Sequence, residues 1–296
     1  MMYMEKEAYP KPLVRVTGGK GGEAVLIVGS EKTALHDCGM ACFSEELISN
    51  IEKALQERPL DYVLLSHTHY DHMGALPDVI KRWPQVKVCG NAKAAQVFGR
   101  QGALDMIVSM GKSAAELYGK DPDKVTADGL RVDMILEDAD IINLGDEKIA
   151  AFGTKGHTDC SVSYFMQPGG ILFASESTGI IGIDGKVRTS ILKSFDQSLE
   201  SATFLKMLPF DHILVPHFGI LDRRYNDSYF DEYIRAAEEE KDFINDLIKK
   251  GMTCEEIFEE HKKVYWTEAR KKDQPYRAYD VNTHIIIKRM LKEAGL

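Results

Sequence analysis

Nothing in this chain looks like a disulfide framework. Its five cysteines (Cys38, Cys42, Cys89, Cys160, Cys254) are scattered, odd in number and form no C-x-x-C pair. Free thiols in a reducing compartment are the expectation. No apolar run approaches the length of a bilayer span. Residues 1–12 mix Glu and Lys with Tyr and Pro and lack the apolar middle of a signal peptide. A cytoplasmic protein with no membrane partner is therefore expected. Basic residues are in deficit, 37 Lys and Arg against 46 Asp and Glu, a net charge of −9. That balance repels phosphate backbones, so no nucleic-acid partner is expected. There is no repeat, no low-complexity segment, no Gly-x-Ser-x-Gly elbow, no Walker-type loop and no dinucleotide fingerprint. The Gly18–Gly22 run lies between two short strand-like stretches and not before a helix, so it reads as a hairpin turn.

What is present is ordinary globular material, 44 % apolar and 28 % charged over 296 residues. Short β-branched and apolar runs flanked by Gly, Asp, Asn or Pro predict strands at 13–16, 24–28, 62–65, 86–89, 148–152, 161–165, 171–174 and 212–215. Between them, helical periodicity appears at 44–56, 75–83, 92–98 and 199–208. Strands alternating with helices predict a mixed, layered α/β fold. Residues 104–118 read as an additional helix inserted over one rim. After Arg224 the chain becomes helical and heavily charged, at 229–250, 254–264 and 282–294. The expected organisation is a catalytic domain over 1–224 and a helical C-terminal extension over 225–296, acting as a packed cap or as a lid.

Chemistry concentrates in one place. His67, His69, Asp71 and His72 follow an apolar strand and precede a helix, taking three of the nine histidines. In extended backbone His67 and His69 point to the same side and can chelate one ion. The turn into the helix presents Asp71 and His72 to a second. Imidazole and carboxylate donors suit zinc, iron or manganese.

This H-x-H-x-D-H run resembles the signature of the metallo-β-lactamase superfamily, and the resemblance extends over residues 10–222. Ala34-Leu35-His36-Asp37-Cys38-Gly39 is similar to the family's strand ending in Asp and Gly. Leu144-Gly145-Asp146 followed by Gly156-His157-Thr158 and Ser161 looks like the segment supplying a third histidine. Ile171–Glu176 stands where the family has a strand ending in a bridging Asp, and Leu214–Gly219 resembles the last histidine motif.

The resemblance implies a four-layer αβ/βα sandwich. It implies His67, His69 and His157 on one ion, Asp71, His72 and His217 on the other, and Glu176 between them. Asp37 would brace the site by fixing a ligand tautomer. Two sites depart from the family pattern: Glu replaces Asp at 176, and Asp159-Cys160 replace a Pro-Gly pair. Cys160 and Cys38 are expected to be small buried hydrophobes. His36 and His212 are expected in the core or behind the ligands, and His261 and His284 packed or solvated.

The implied activity is a hydrolase in which two divalent ions, zinc first and iron or manganese after it, activate a water that Asp71 orients. The motif order is similar to the glyoxalase-II-like branch, which points to a small-molecule ester, thioester or lactone. Tyr70, Arg188, Lys193 and Arg223 are the expected substrate contacts, from proximity in sequence. A phosphodiesterase or nuclease is the alternative on the same metal site. A di-iron redox protein is a further one, opposed by His69 where such proteins carry Glu. Homo-oligomerisation is left open.

Overall fold

A computed structural model describes residues 4–296. The chain divides into two compact units. One, the strand-rich unit, comprises Ala8–Gly153 and Cys160–Ser175; the other, the helical unit, comprises residues 4–7, Thr154–Asp159 and Glu176–Leu296. This division follows other residues than the change of sequence character after Arg224.

The strand-rich unit is built on a six-stranded sheet in chain order: β1 (Leu13–Arg15), β2 (Val25–Val28), β3 (Thr33–His36), β4 (Tyr62–Leu64), β5 (Lys87–Gly90) and β6 (Met134–Ile135). β1 to β3 are antiparallel, and β3 to β6 run parallel. The expected hairpin joins β1 to β2, with Val16 N–H bonding Ala24 O at 3.0 Å. β3 is buried at every position, as a central strand with both faces covered must be. The parallel crossovers carry α1 (Ser44–Leu55), the short α2 (Tyr70–Met73), α3 (Leu76–Arg82), α4 (Ala92–Phe98) and α5 (Gln101–Leu117). α1 buries Leu47, Ile51 and Leu55, one stripe at four-residue spacing, against a core that includes Leu26, Leu35, Val63 and Val79. At roughly 25 cal/mol per Å², each fully buried Leu or Ile stabilises by about 1.5–3 kcal/mol before entropy is counted.

A second, antiparallel array follows: β7 (Ile141–Asn143), β8 (Lys148–Gly153), β9 (Val162–Gln167) and β10 (Ile171–Phe173). Within this unit the two arrays meet face to face. The His36 ring lies 5.0 Å from Phe173 and 5.7 Å from Tyr164, and the Tyr164 hydroxyl donates to Leu65 O at 2.8 Å. Helix, sheet and sheet are thus layered here, in keeping with the sandwich expected. α5 is the inserted helix expected near 104–118, and it packs on α2, α4 and the turn at 41–43.

The helical unit has two short strand pairs, β11 (Ile180–Ile181) with β12 (Val187–Arg188), and β13 (His212–Val215) with β14 (Gly219–Ile220). Its helices are α6 (Phe195–Lys206), α7 (Asn226–Lys249), α8 (Cys254–Tyr265), α9 (Arg270–Asp273) and α10 (Tyr276–Glu293). α7 buries Tyr229, Tyr233, Ala237, Glu240, Ile244, Leu247 and Ile248 along one face. Tyr233 donates to Ser177 O at 2.8 Å and also meets the Ser198 hydroxyl of α6. No helix among the described residues is long and apolar enough to cross a membrane.

Candidate metal centre

In the strand-rich unit, β4 ends at Leu64, and His69, extended at φ −74° and ψ 148°, caps α2. The His67 and His69 ring centroids are 4.6 Å apart. The His67 and His72 rings are 4.2 Å apart. His67 and His69 offer donor atoms within 4.8 Å of each other, and so do Asp71 and His72.

This turn is fastened from behind. Cys38 N–H bonds His72 O at 2.6 Å, and Gly22 N–H bonds Asp71 O at 2.9 Å. A Cβ on Gly22 would stand 2.7 Å from Asp71 O and 2.9 Å from His72 Nδ1, so the glycine run permits the close approach as well as the turn.

Asp37 is buried in the strand-rich unit and bonded to His72. Its Oδ1 accepts from Ser66 N–H at 2.8 Å, and its Oδ2 accepts from the Ser66 hydroxyl at 2.6 Å and from His72 Nδ1–H at 2.8 Å. The last bond makes Nε2 the basic nitrogen of His72. Burial opposes ionisation of Asp37, but the neighbouring His36 and the bonds from His72 and Ser66 outweigh it and keep the carboxyl below its usual range. His36 itself is driven toward the neutral form by burial. Its two ring nitrogens have no hydrogen-bond partner, so it belongs to the core between the arrays.

In the helical unit, His157, Glu176 and His217 come together. His217 Nε2 is 2.9 Å from Glu176 Oε1, and His157 Nε2 is 3.6 Å from Glu176 Oε2. His157 Nδ1 donates to Ser190 O and its backbone N–H to the Ser177 hydroxyl at 3.0 Å, leaving Nε2 as the basic nitrogen. The Ser190 hydroxyl donates to Glu176 Oε2 at 2.7 Å. Gly156, at φ +132°, lets this loop pass α6, because a Cβ there would stand 2.6 Å from Ser198 Cα. His217 itself adopts φ +60°, an uncommon conformation for a residue with a Cβ and one that concentrates at functional sites. Each unit thus carries a buried or half-buried imidazole–carboxylate cluster with ring tautomers fixed by neighbours. That donor chemistry fits a divalent transition metal.

The expected substrate contacts fare differently. Tyr70 is half-buried at the start of α2 beside Asp71. Lys193 binds Asp159 at 2.6 Å, two residues after His157. Arg188 is engaged by Asp184 at 2.7 Å and Asp273 at 2.8 Å, and the exposed Arg223 lies 3.7 Å from Glu7. The sequence reading missed Ser190, whose carbonyl and hydroxyl meet His157 and Glu176. None of the five cysteines is in a disulfide, and Cys160 is buried with Sγ 3.3 Å from Thr68 Oγ1. His212 pairs with Glu7 at 2.6 Å, His261 is buried against Glu240, and His284 stacks on Phe258 with centroids 4.1 Å apart.

Layered α/β architecture with histidine and carboxylate donors at strand ends defines a metal-binding class of fold. The family model described as the Metallo-beta-lactamase superfamily matches residues 17–217, more than half of the chain, and the chain belongs to that superfamily. Over 171 residues it is 30 % identical to the hydroxyacylglutathione hydrolase of Buchnera aphidicola, covering 58 % of this chain and 52 % of that protein. Over 215 residues it is 26 % identical to the hydroxyacylglutathione hydrolase of Salmonella typhi, covering 68 % and 66 %. The chain thus spans about half to two thirds of the length of these curated relatives. A crystal structure of an archaeal metallo-beta-lactamase superfamily protein from Sulfolobus tokodaii is similar in fold, with a TM-score of 0.58 at 19 % identity, covering 77 % of this chain and 86 % of that one.

Proposed function

We propose that the chain is a metal-dependent hydrolase of a small-molecule ester, thioester or lactone, working with two divalent ions. His67, His69 and His157 would hold one ion; Asp71, His72 and His217 would hold the other, with Glu176 between them. The observation that carries this reading is the donor set itself, in which Asp37 fixes the tautomer of His72 and Ser190 that of His157. Zinc is the proposed metal, with iron and manganese also compatible with imidazole and carboxylate donors. Bound there, such ions would lower the pKa of a water toward neutrality and polarise the oxygen under attack.

Asp71 would orient the attacking water and pass a proton to the leaving group. Asp37 and Ser66 hold His72 in one orientation throughout. Tyr70 and Lys193 are the proposed substrate contacts, and residues 225–296 the proposed C-terminal extension. Arg188 is better read as a structural clamp, since two carboxylates occupy its guanidinium. The names of the two bacterial relatives make a thioester the first substrate class to try.

The test is metal content by plasma mass spectrometry on protein purified without added metal or chelator, beside a screen of thioester, lactone and bis-nitrophenyl phosphate substrates. The expected result is about two ions per chain, with thioester or ester turnover that disappears in His69→Ala together with one ion. Phosphodiester turnover alone would transfer the proposal to a phosphodiesterase. A protein that neither contains metal nor gains activity with any would end it.

A further inference from the structure

In the helical unit, His157 and Glu176 are held by a segment that offers no side-chain imidazole or carboxylate of its own. The Ser190 carbonyl accepts from His157 Nδ1, and the Ser190 hydroxyl donates to Glu176 Oε2 at 2.7 Å. One residue therefore sets the ring plane of a histidine and the rotamer of a carboxylate.

The two preceding residues are anchored in the C-terminal helices. The buried Thr189 donates its hydroxyl to Glu240 Oε2 on α7. Glu240 Oε1 pairs with His261 Nε2 of α8 at 2.9 Å, and His261 Nδ1 with the Tyr279 hydroxyl of α10 at 2.7 Å. The Arg188 guanidinium reaches Asp273 of α9 at 2.8 Å. Two consecutive residues, Arg188 and Thr189, thus bond α9 and α7 directly, and through Glu240 and His261 connect to α8 and α10.

Glu240 is only 6 % exposed and lies on the apolar face of α7. Helix packing alone gives no reason for a carboxylate there. Burying one costs several kcal/mol unless it is paired, and a well-packed apolar residue is commonly as stable or more so. What Glu240 supplies, and an apolar residue would not, is a partner for His261 on one oxygen and, on the other, an acceptor that fixes Thr189 and hence the register of Ser190.

We propose that residues 188–190 are a positioning segment through which the C-terminal helices set the geometry of the metal donors, with Ser190 as the positioning residue and Glu240–Thr189 as its anchor. The proposal rests on the metal-dependent reading above, since it requires His157 and Glu176 to be ligands.

The experiment measures zinc affinity of the full-length protein by chelator competition, and the d–d spectrum of the cobalt-loaded form, for wild type, Ser190→Ala, Ser190→Thr and Thr189→Val. Residues that orient ligands typically contribute 10–100-fold in metal affinity. Ser190→Ala is expected to weaken one ion by about 10–100-fold and to alter the cobalt spectrum, with Ser190→Thr close to wild type. Thr189→Val, which touches no donor, is expected to shift the same ion in the same direction while circular dichroism stays unchanged. Wild-type affinity and spectrum in both Ser190→Ala and Thr189→Val would overturn the proposal with the hydrolase reading intact. Should Ser190→Ala fail to fold, Thr189→Val decides alone. A wild-type protein that binds no metal would overturn the hydrolase reading, and this proposal with it.

Discussion

At Asp37 the backbone takes φ +53°, and from that position one carboxylate serves Ser66 N–H, the Ser66 hydroxyl and His72. Replacing it with alanine leaves a buried amide and a buried imidazole without their acceptor. Asp37→Ala should cost about 1–3 kcal/mol in chemical denaturation for each group so exposed, and weaken metal binding by about 10–100-fold. Lost stability with unchanged metal affinity would make Asp37 a residue of the fold alone. Asp37 was legible because its motif is local: a strand, an Asp, a Gly. Ser190 was not, since serine is common and its partners lie 14 and 33 residues away along the chain.

Among the elements, α8 is stopped at its N-terminus by a full capping box, Thr253 with Glu256. Thr253→Ala should destabilise by about 0.5–2 kcal/mol, read as a lower melting temperature. No change would mean that packing alone sets the start of α8. On α7, burial opposes ionisation of Glu240, yet the bond and charge of His261, with Arg270 and Thr189, keep its pKa below the ordinary 4.5. A carboxyl depressed in the folded state contributes stability that is complete above its unfolded value and is lost as pH falls through the folded one. The melting temperature of wild type should therefore drop more steeply below about pH 4.5 than that of Glu240→Gln; parallel curves would show that Glu240 does not titrate with folding.

The long helices were readable because their apolar residues recur every three to four positions over several turns. On that same period Glu240 falls in line with Tyr233, Ala237 and Ile244, the one sequence signal that it is buried while Glu238 and Glu239 are not. β6, β11, β12 and β14 went unread because two residues carry no alternation to detect.

For the molecule as a whole, a ligand that binds only the folded state stabilises it by about 2.7 kcal/mol at a hundred times its dissociation constant. Stripping metal with a chelator should then lower the melting temperature by about 5–10 °C, recovered on adding zinc. A chelator-insensitive melt would mean that the donors carry no metal in the protein as purified. The C-terminal helices share a compact unit with residues 154–159 and 176–224. Charge density reports which face of a helix meets water; it says nothing of what the opposite face covers.

The sequence by itself brought His67, His69, Asp71 and His72 together, because they lie within six consecutive residues. It likewise determined the alternation of strands and helices, which rests on the contrast between periods of two and 3.6. Only the tertiary structure decided that Ser190 would orient His157 and Glu176, and that Thr189 would find its acceptor 51 residues away on α7. Such pairings depend on where separate elements come to rest against one another, a matter of packing that no local periodicity encodes.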